Sequence, residues 1–466
     1  MSINQVLFLI FLAFLCGRIK SLQIRNALLL PLSILIYYRF QAATPILFLD
    51  FWLPTLAILL TLLVWIAGQS QIKVALRENA FPLIIVLVTV FAVSANRYLT
   101  ICCLTPTRPP HLWTVTLTLL ILLAPSSLLF SKISVRTRFR LLILIAISIF
   151  IALKTPELSL LLSKFFRWLN QQDLRFSSSN EILWLGISYI LFRLLHLALD
   201  WRAGRLPAAG LAEVLNYIFF FPALVAGPIA RFPQFQNELS KTPQTLDTIE
   251  GMRRIFIGLF RKFVLADSLA LVSLSPHNVS QIHSPLFLWI ALVAYSLRIY
   301  FDFSGYTDIA LGSARLMGIH LPENFNAPYF KSSLIHFWNS WHITLADWFR
   351  SYVFNPLTRK LRASPTLPNW LTIFIPQLST MLLIGLWHGI TPNFFLWGAW
   401  HGIGLFINNR WNALKKPSFL NPSESLQKYL GWTLTFGYVT LGWVWFLMPT
   451  VANAVETFQK LFGIGT

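Results

Sequence analysis

Apolar runs long enough to cross a bilayer, separated by short connections rich in Lys and Arg, recur along almost all of this 466-residue chain. About 20 apolar residues in helical form span the roughly 30 Å of hydrocarbon. Backbone groups in lipid have no water to turn to, so each run must satisfy its own hydrogen bonds. The continuous runs lack the short alternation of barrel strands and therefore predict helices. The expected fold is an all-α integral membrane protein with about eleven to thirteen transmembrane helices, together with re-entrant or amphipathic helices. Composition agrees: 56% of residues are hydrophobic and 12% charged, where soluble domains carry about 25% charged residues.

A net charge of +20 would suggest nucleic acid in a soluble protein. Here the positive residues sit in the connections, the pattern of loops held on the cytoplasmic side, so no nucleic-acid partner is expected. Arg18, Lys20 and Arg25 follow the first apolar run, and Lys132, Arg136, Arg138 and Arg140 follow a later one. Arg202 with Arg205, and Arg359 with Lys360 and Arg362, mark two more such loops. All are expected to touch anionic headgroups of the lipid bilayer. Met1 to Gln5 carries no positive side chain, so the first span reads as an uncleaved anchor with its amino end outside. Cys16, Cys102 and Cys103 offer no disulfide framework. Cys102 and Cys103 read as small packing residues, with an acyl-carrying thiol as the alternative.

Residues 1–165 form a series of apolar spans with little chemistry, and a polar stretch at 164–181 separates them from a core at 182–410. A last span and tail occupy 411–466. From residue 182 on, the expected spans lie near 182–200, 214–230, 254–273, 285–316, 371–388, 393–409 and 430–448. The 285–316 span carries Arg298, Asp302, Ser304, Asp308 and Arg315, which must face protein or water. Arg298 and Asp302, four residues apart, are expected to pair. The group reads either as a buried ion-pair seam or as a polar wall leading to the histidines. Arg253, Arg254, Arg261 and Lys262 read as a headgroup-facing lip, or alternatively as a seat for donor phosphates.

The 333–355 segment mixes His336, Asn339, His342, Asp347 and Arg350 with Trp338, Trp341, Trp348, Phe349 and Tyr352. It reads as one amphipathic or re-entrant helix ended by Pro356. On such a helix His342 shares a face with Trp338, Leu345 and Phe349, while Asp347 lies beside Arg350 and Ser351. His342 and His388 sit in the most hydrophobic parts of the chain. Each is either a proton carrier or a buried imidazole satisfied by a carbonyl. His342, His388 and His401 have no carboxylate or cysteine at ligand spacing, and no metal site is expected.

The strings Phe301-Asp302-Phe303-Ser304-Gly305-Tyr306-Thr307-Asp308, Pro322-Glu323-Asn324-Phe325-Asn326, Trp341-His342-Ile343-Thr344-Leu345, Trp348-Phe349-Arg350 and Leu386-Trp387-His388-Gly389 resemble those of the membrane-bound O-acyltransferase family. The nearest likeness is to its bacterial branch, which includes alginate O-acetylation and teichoic acid D-alanyl transfer. The resemblance covers about residues 184–410. It implies helices around a central tunnel in a bacterial cell membrane. It also implies an activated acyl donor, acetyl-CoA or an acyl-carrier thioester, arriving from the cytoplasm. The acceptor would be a polysaccharide or other envelope polymer, with an extracytoplasmic acyltransferase as a possible partner.

By the same likeness His388 takes the general-base role and His342 the second histidine position, while His401 matches a weaker one. Asn339, Trp338, Trp341, Trp387, Arg350, Asp302, Ser304, Asp308, Asn324 and Asn326 are the expected substrate-binding or tunnel-lining residues. Transfer of D-alanyl or longer acyl groups is the rival chemistry. A transporter or flippase using Arg298, Asp302 and His388 is the rival from another class, although no inverted repeat is visible. A silent scaffold would leave both histidines dispensable.

Overall fold

The computed structural model describes residues 2–99, 104–207, 209–364, 366–413 and 423–464, with the backbone alone for 123–129 and 131. Cys102 and Cys103 lie outside the described residues. Helices in chain order are α1 (Ile3–Gly17), α2 (Leu22–Arg39), α3 (Leu49–Ala67), α4 (Ile72–Glu78), α5 (Ala80–Ala95), α6 (Leu112–Lys132), α7 (Val135–Lys154), α8 (Pro156–Leu169), α9 (Ile187–Arg202), α10 (Leu211–Phe219) and α11 (Phe232–Leu239). They continue as α12 (Thr245–Phe260), α13 (Asp267–Ala270), α14 (Pro285–Leu316), α15 (Leu334–Trp338), α16 (Ile343–Phe349), α17 (Asn355–Arg362), α18 (Leu371–His388), α19 (Pro392–Ala413), α20 (Glu424–Leu447) and α21 (Val451–Leu461). Among the described residues the only strand-like pairing is one bridge between Phe325 and Trp341.

Five described helices are long and apolar enough to cross a membrane: Leu49–Ala67, Ala80–Tyr98, Pro285–Leu316, Leu371–His388 and Glu424–Leu447. The pair α7 and α8, bent by 96°, makes up to six. Among the described residues α1 and α10 are shorter apolar helices, and α6 has side chains described only in part, so these five or six are not a count for the whole chain against the expected eleven to thirteen. The run at 214–230 breaks after Phe219, where Pro222 and the Gly227-Pro228 pair cannot continue a helix. Arg193, 2% exposed, donates to the freed carbonyls of Ile218 and Ala223 at 2.8 and 2.7 Å.

The chain divides into two units, residues 1–255 with 310–321, and residues 256–309 with 322–466. In the first, an apolar core joins α2, α3, α5, α7, α9 and α10. Arg25 does not face headgroups there, as its position after the first run suggested: it is fully buried and donates to the carbonyls of Leu239, Lys241 and Met317. Arg138 is likewise turned inward, with its Nε on the Ile133 carbonyl. These guanidiniums bond carbonyls at or just past helix C-termini that would otherwise be unsatisfied.

In the second unit α18 and α19 form a tight hairpin. A Cβ at Gly385 would meet the Phe394 carbonyl oxygen at 2.2 Å, and one at Gly398 would meet that of Met381 at 2.6 Å. Glycine at these positions lets the two backbones touch, as small residues do between membrane helices. The α14 helix approaches a neighbour in the same way, since Gly305 lies over the Gly258 carbonyl.

Candidate active site

The 333–355 segment is not one helix. Its first turn, α15, ends at Trp338, and the chain then passes through Trp341 and His342 before α16 begins at Ile343. His342 is the N-cap of α16 in a left-handed conformation, φ +44° and ψ 52°. It therefore shares no helical face with Trp338, as a single helix would require. Pro356 does not end the segment either, because it lies in the first turn of α17, where proline's missing N–H costs nothing. The Pro322–Asn326 stretch holds the break. Asn324 accepts from the Ile343 amide at its backbone oxygen, 3.0 Å, and from the Thr344 hydroxyl at Oδ1, 2.7 Å. The Asn326 amide donates to the Ser340 carbonyl at 3.0 Å, while the Asn326 side chain is exposed.

His342 is 3% exposed. Its Nδ1 lies 3.3 Å from Asn324 Oδ1, and its ring stands edge to face with Phe303 at 4.8 Å. Trp387 lies between the two histidines, 6.1 Å from the His342 ring and 4.6 Å from the His388 ring. His388 is the last residue of α18 and half-buried. Around it stand Phe394 at 5.9 Å, Trp397 at 5.5 Å and Phe446 at 4.8 Å. An imidazole in this apolar collar is kept from bulk water on most sides, the setting that general-base chemistry on a hydrolysable donor needs.

A cavity of about 390 Å³ is lined by Trp338, Asn339, Arg350, Gln377, Thr380 and Ile384 among others, and neither His342 nor His388 is part of its lining. Arg350 reaches Asn339 Oδ1 at 2.6 Å and Asp347 at 2.8 Å, so the polar end of the cavity is a fixed guanidinium network. Gln377 Oε1, Thr380 Oγ1 and Trp338 Nε1 are buried with no hydrogen-bond partner. Such groups cost about 1–3 kcal/mol each unless a ligand or water satisfies them. On α18 the wall follows Gln377, Thr380, Met381 and Ile384, and the next residue on that helical stripe is His388.

Of the expected site residues, the cavity lining brings together Trp338, Asn339 and Arg350, and the aromatic cluster brings together His342, Trp387 and His388. Trp341 packs instead among Tyr329, Phe337 and Trp443 at 5.4 to 5.6 Å. Asp302 and Asp308 pair with Lys262 and Arg261, not with Arg298, whose guanidinium is 3.3 Å from Ser273 Oγ. This also removes Arg261 and Lys262 as a free phosphate seat. Ser304 is buried on α14 with its hydroxyl unpartnered. No group of three or more metal-binding side chains occurs among the described residues.

Sequence reasoning passed over Gln377, Thr380 and Trp397. Polar side chains inside a span-length apolar helix were the available signal for the first two. Trp397 had none, since its role comes from its place between His388, His401 at 4.9 Å and Trp338 at 5.8 Å. His401 is 1% exposed, with neither ring nitrogen hydrogen-bonded.

Residues 147–450 match the model of the membrane-bound O-acyltransferase family. The chain is 35% identical over 295 residues to a probable alginate O-acetylase of Pseudomonas aeruginosa, covering 62% of this chain and 54% of that protein. It is 35% identical over 283 residues to a teichoic acid D-alanyltransferase of Streptococcus thermophilus, covering 56% and 68%. It is also 32% identical over 263 residues to a peptidoglycan O-acetyltransferase of Helicobacter pylori, covering 54% and 48%. The chain spans about half the length of the alginate O-acetylases it matches. The matched region holds both histidines, the cavity and the α18–α19 hairpin, and the chain belongs to the membrane-bound O-acyltransferase family.

Proposed function

We propose that this protein transfers an acyl group, acetyl in the first instance, from an activated thioester to hydroxyls of an envelope or extracellular polysaccharide. The observation that carries the reading is the register of α18: His388, half-buried, lies one helical turn beyond Ile384, which is on the wall of a cavity that holds the unsatisfied Gln377 and Thr380. His388 takes the proton of the acceptor hydroxyl as its oxygen attacks the thioester carbonyl carbon. The C–O bond forms, the C–S bond breaks, and the proton passes to the leaving thiolate, which departs as the free thiol. In this reading His342 and the Trp387 indole orient the reactants, supported by the contact of Trp387 with both imidazole rings. The donor in this reading is acetyl-CoA or an acyl-carrier thioester, and the partner is an extracytoplasmic acyltransferase, as the family resemblance of the sequence implies.

The test compares base-labile esters on envelope glycans from cells carrying wild type, His388→Ala or no protein. Loss of esters in the variant, with protein present at normal level in the membrane, is the expected result. A drop of about 10²–10⁴-fold in transfer rate is what removal of a general base produces. Unchanged ester content would overturn the assignment and favour a scaffold. Mass analysis of the released group separates acetate from D-alanine, the transferred group in the name of the Streptococcus thermophilus relative.

A further inference from the structure

In the first unit α7 and α9 pack together, and a cleft of about 490 Å³ between the start of one and the end of the other is lined by Arg136, Arg140, Leu199, Arg202 and Ala203. The three arginines are exposed, and among the described residues none of them is paired with a carboxylate. The acid nearest in sequence, Asp200, is held by Arg205 at 3.0 Å and by His196 at 3.1 Å, so it does not offset them. Arg136 and Arg140 also sit in the first turns of a 20-residue helix, whose positive end adds to the field. Three converging guanidiniums repel one another, and the chemistry that relieves this is a phosphate ester.

What stands below the arginines says which phosphate ester. Positions 136, 140, 144, 147 and 151 lie on one stripe of α7. Leu144, Ile147 and Ile151 on it are exposed at 60, 41 and 41%, whereas the opposite face, with Phe139, Leu142 and Ala146, is buried in the core. A soluble phosphate would need the guanidiniums alone. An anionic head continuing straight into an unpartnered aliphatic track is the shape of a phospholipid.

We propose that an anionic phospholipid binds here, with its phosphate in the arginine cleft and one acyl chain along Leu144, Ile147 and Ile151. The site lies outside the acyl-transfer cavity, so it stands or falls independently of the proposed reaction.

The test is lipid retention by native mass spectrometry of the full chain, purified into nanodiscs of phosphatidylcholine alone or mixed with phosphatidylglycerol or cardiolipin. Wild type is expected to retain anionic lipid over phosphatidylcholine by about tenfold or more. The triple variant Arg136→Gln, Arg140→Gln, Arg202→Gln is expected to lose that preference, and the corresponding triple Lys variant to keep most of it. Leu144→Ser, which leaves every charge in place, is expected to weaken retention as well, which guards against a triple variant that fails to fold. No preference in wild type would overturn the proposal. So would thermal stabilisation of the phosphatidylcholine sample by inorganic phosphate equal to that given by anionic lipid, because the site would then be one for soluble phosphate.

Discussion

Asn324 and His342, 18 residues apart in sequence, are joined side chain to side chain at 3.3 Å, and the same asparagine binds both residues that follow the histidine. Asn324 is fully buried. It fixes the break between α15 and α16 and so sets the direction of the imidazole.

Asn324→Ala therefore removes the side-chain acceptor of the Thr344 hydroxyl in a buried place. A stability loss of about 1–3 kcal/mol is expected. Acyl transfer should fall further than that loss explains, because the histidine is no longer held. Comparing thermal unfolding in detergent with transfer rate on the same preparation checks this, and a variant that loses stability without further loss of rate would contradict it.

The left-handed backbone of His342 gives a second expectation. Any side chain pays roughly 1–2 kcal/mol in that region, whereas glycine does not. His342→Gly should thus be more stable than His342→Ala by about 1 kcal/mol, and both should be poor catalysts. Equal melting temperatures for the two variants would show that the backbone is not strained there.

The cavity wall separates use from structure. Thr380→Val and Gln377→Leu remove buried groups that bond to nothing within the protein. Their effect on stability should be neutral or favourable by about 1 kcal/mol. If the cavity receives a substrate, the same changes raise KM or lower kcat/KM, so improved folding with impaired transfer is the expected pair of results. Unaltered kinetics would place the substrate elsewhere.

A network in the first unit gives a pH expectation. His320 lies 2.8 Å from both Glu238 and Asp247, with Lys241 on Glu238 and Arg315 on Asp247. Burial works against ionisation of both carboxyls, yet the hydrogen bonds and cations around them win and hold each below its ordinary range. A lowered carboxyl stabilises the fold above its unfolded value, about 4.3 for Glu and 3.9 for Asp. That contribution is lost as pH falls through the lower folded value. Acid unfolding followed by tryptophan fluorescence should begin below about pH 4 in wild type. Glu238→Gln should flatten this acid limb.

The ranges 285–316 and 371–388 can be read from hydropathy alone and coincide with α14 and α18, because an uninterrupted apolar run has one low-energy form in lipid. His342 and His388 were also recognisable, each being an ionisable group in apolar surroundings. The break before Ile343 was not, since it depends on Asn324, and no local periodicity records a contact across 18 residues. The i, i+4 pairing of Arg298 with Asp302 failed for a related reason. Lys262 and Arg261, brought close by the Gly258–Gly305 approach, took the acids that the local rule assigned to Arg298. Arg25 shows the limit of the positive-loop rule: loop position says where a residue enters, not which way its side chain turns.

The α18–α19 hairpin leaves no slack. With Gly385 and Gly398 already at the distance of closest approach, neither helix can slide or tilt to suit a larger reactant. The collar that Phe394 and Trp397 build around His388 is rigid in consequence. If His388 is the base, a larger acyl group has to be accommodated by exchanging the side chains around that imidazole, since the glycine contacts hold the two backbones in place.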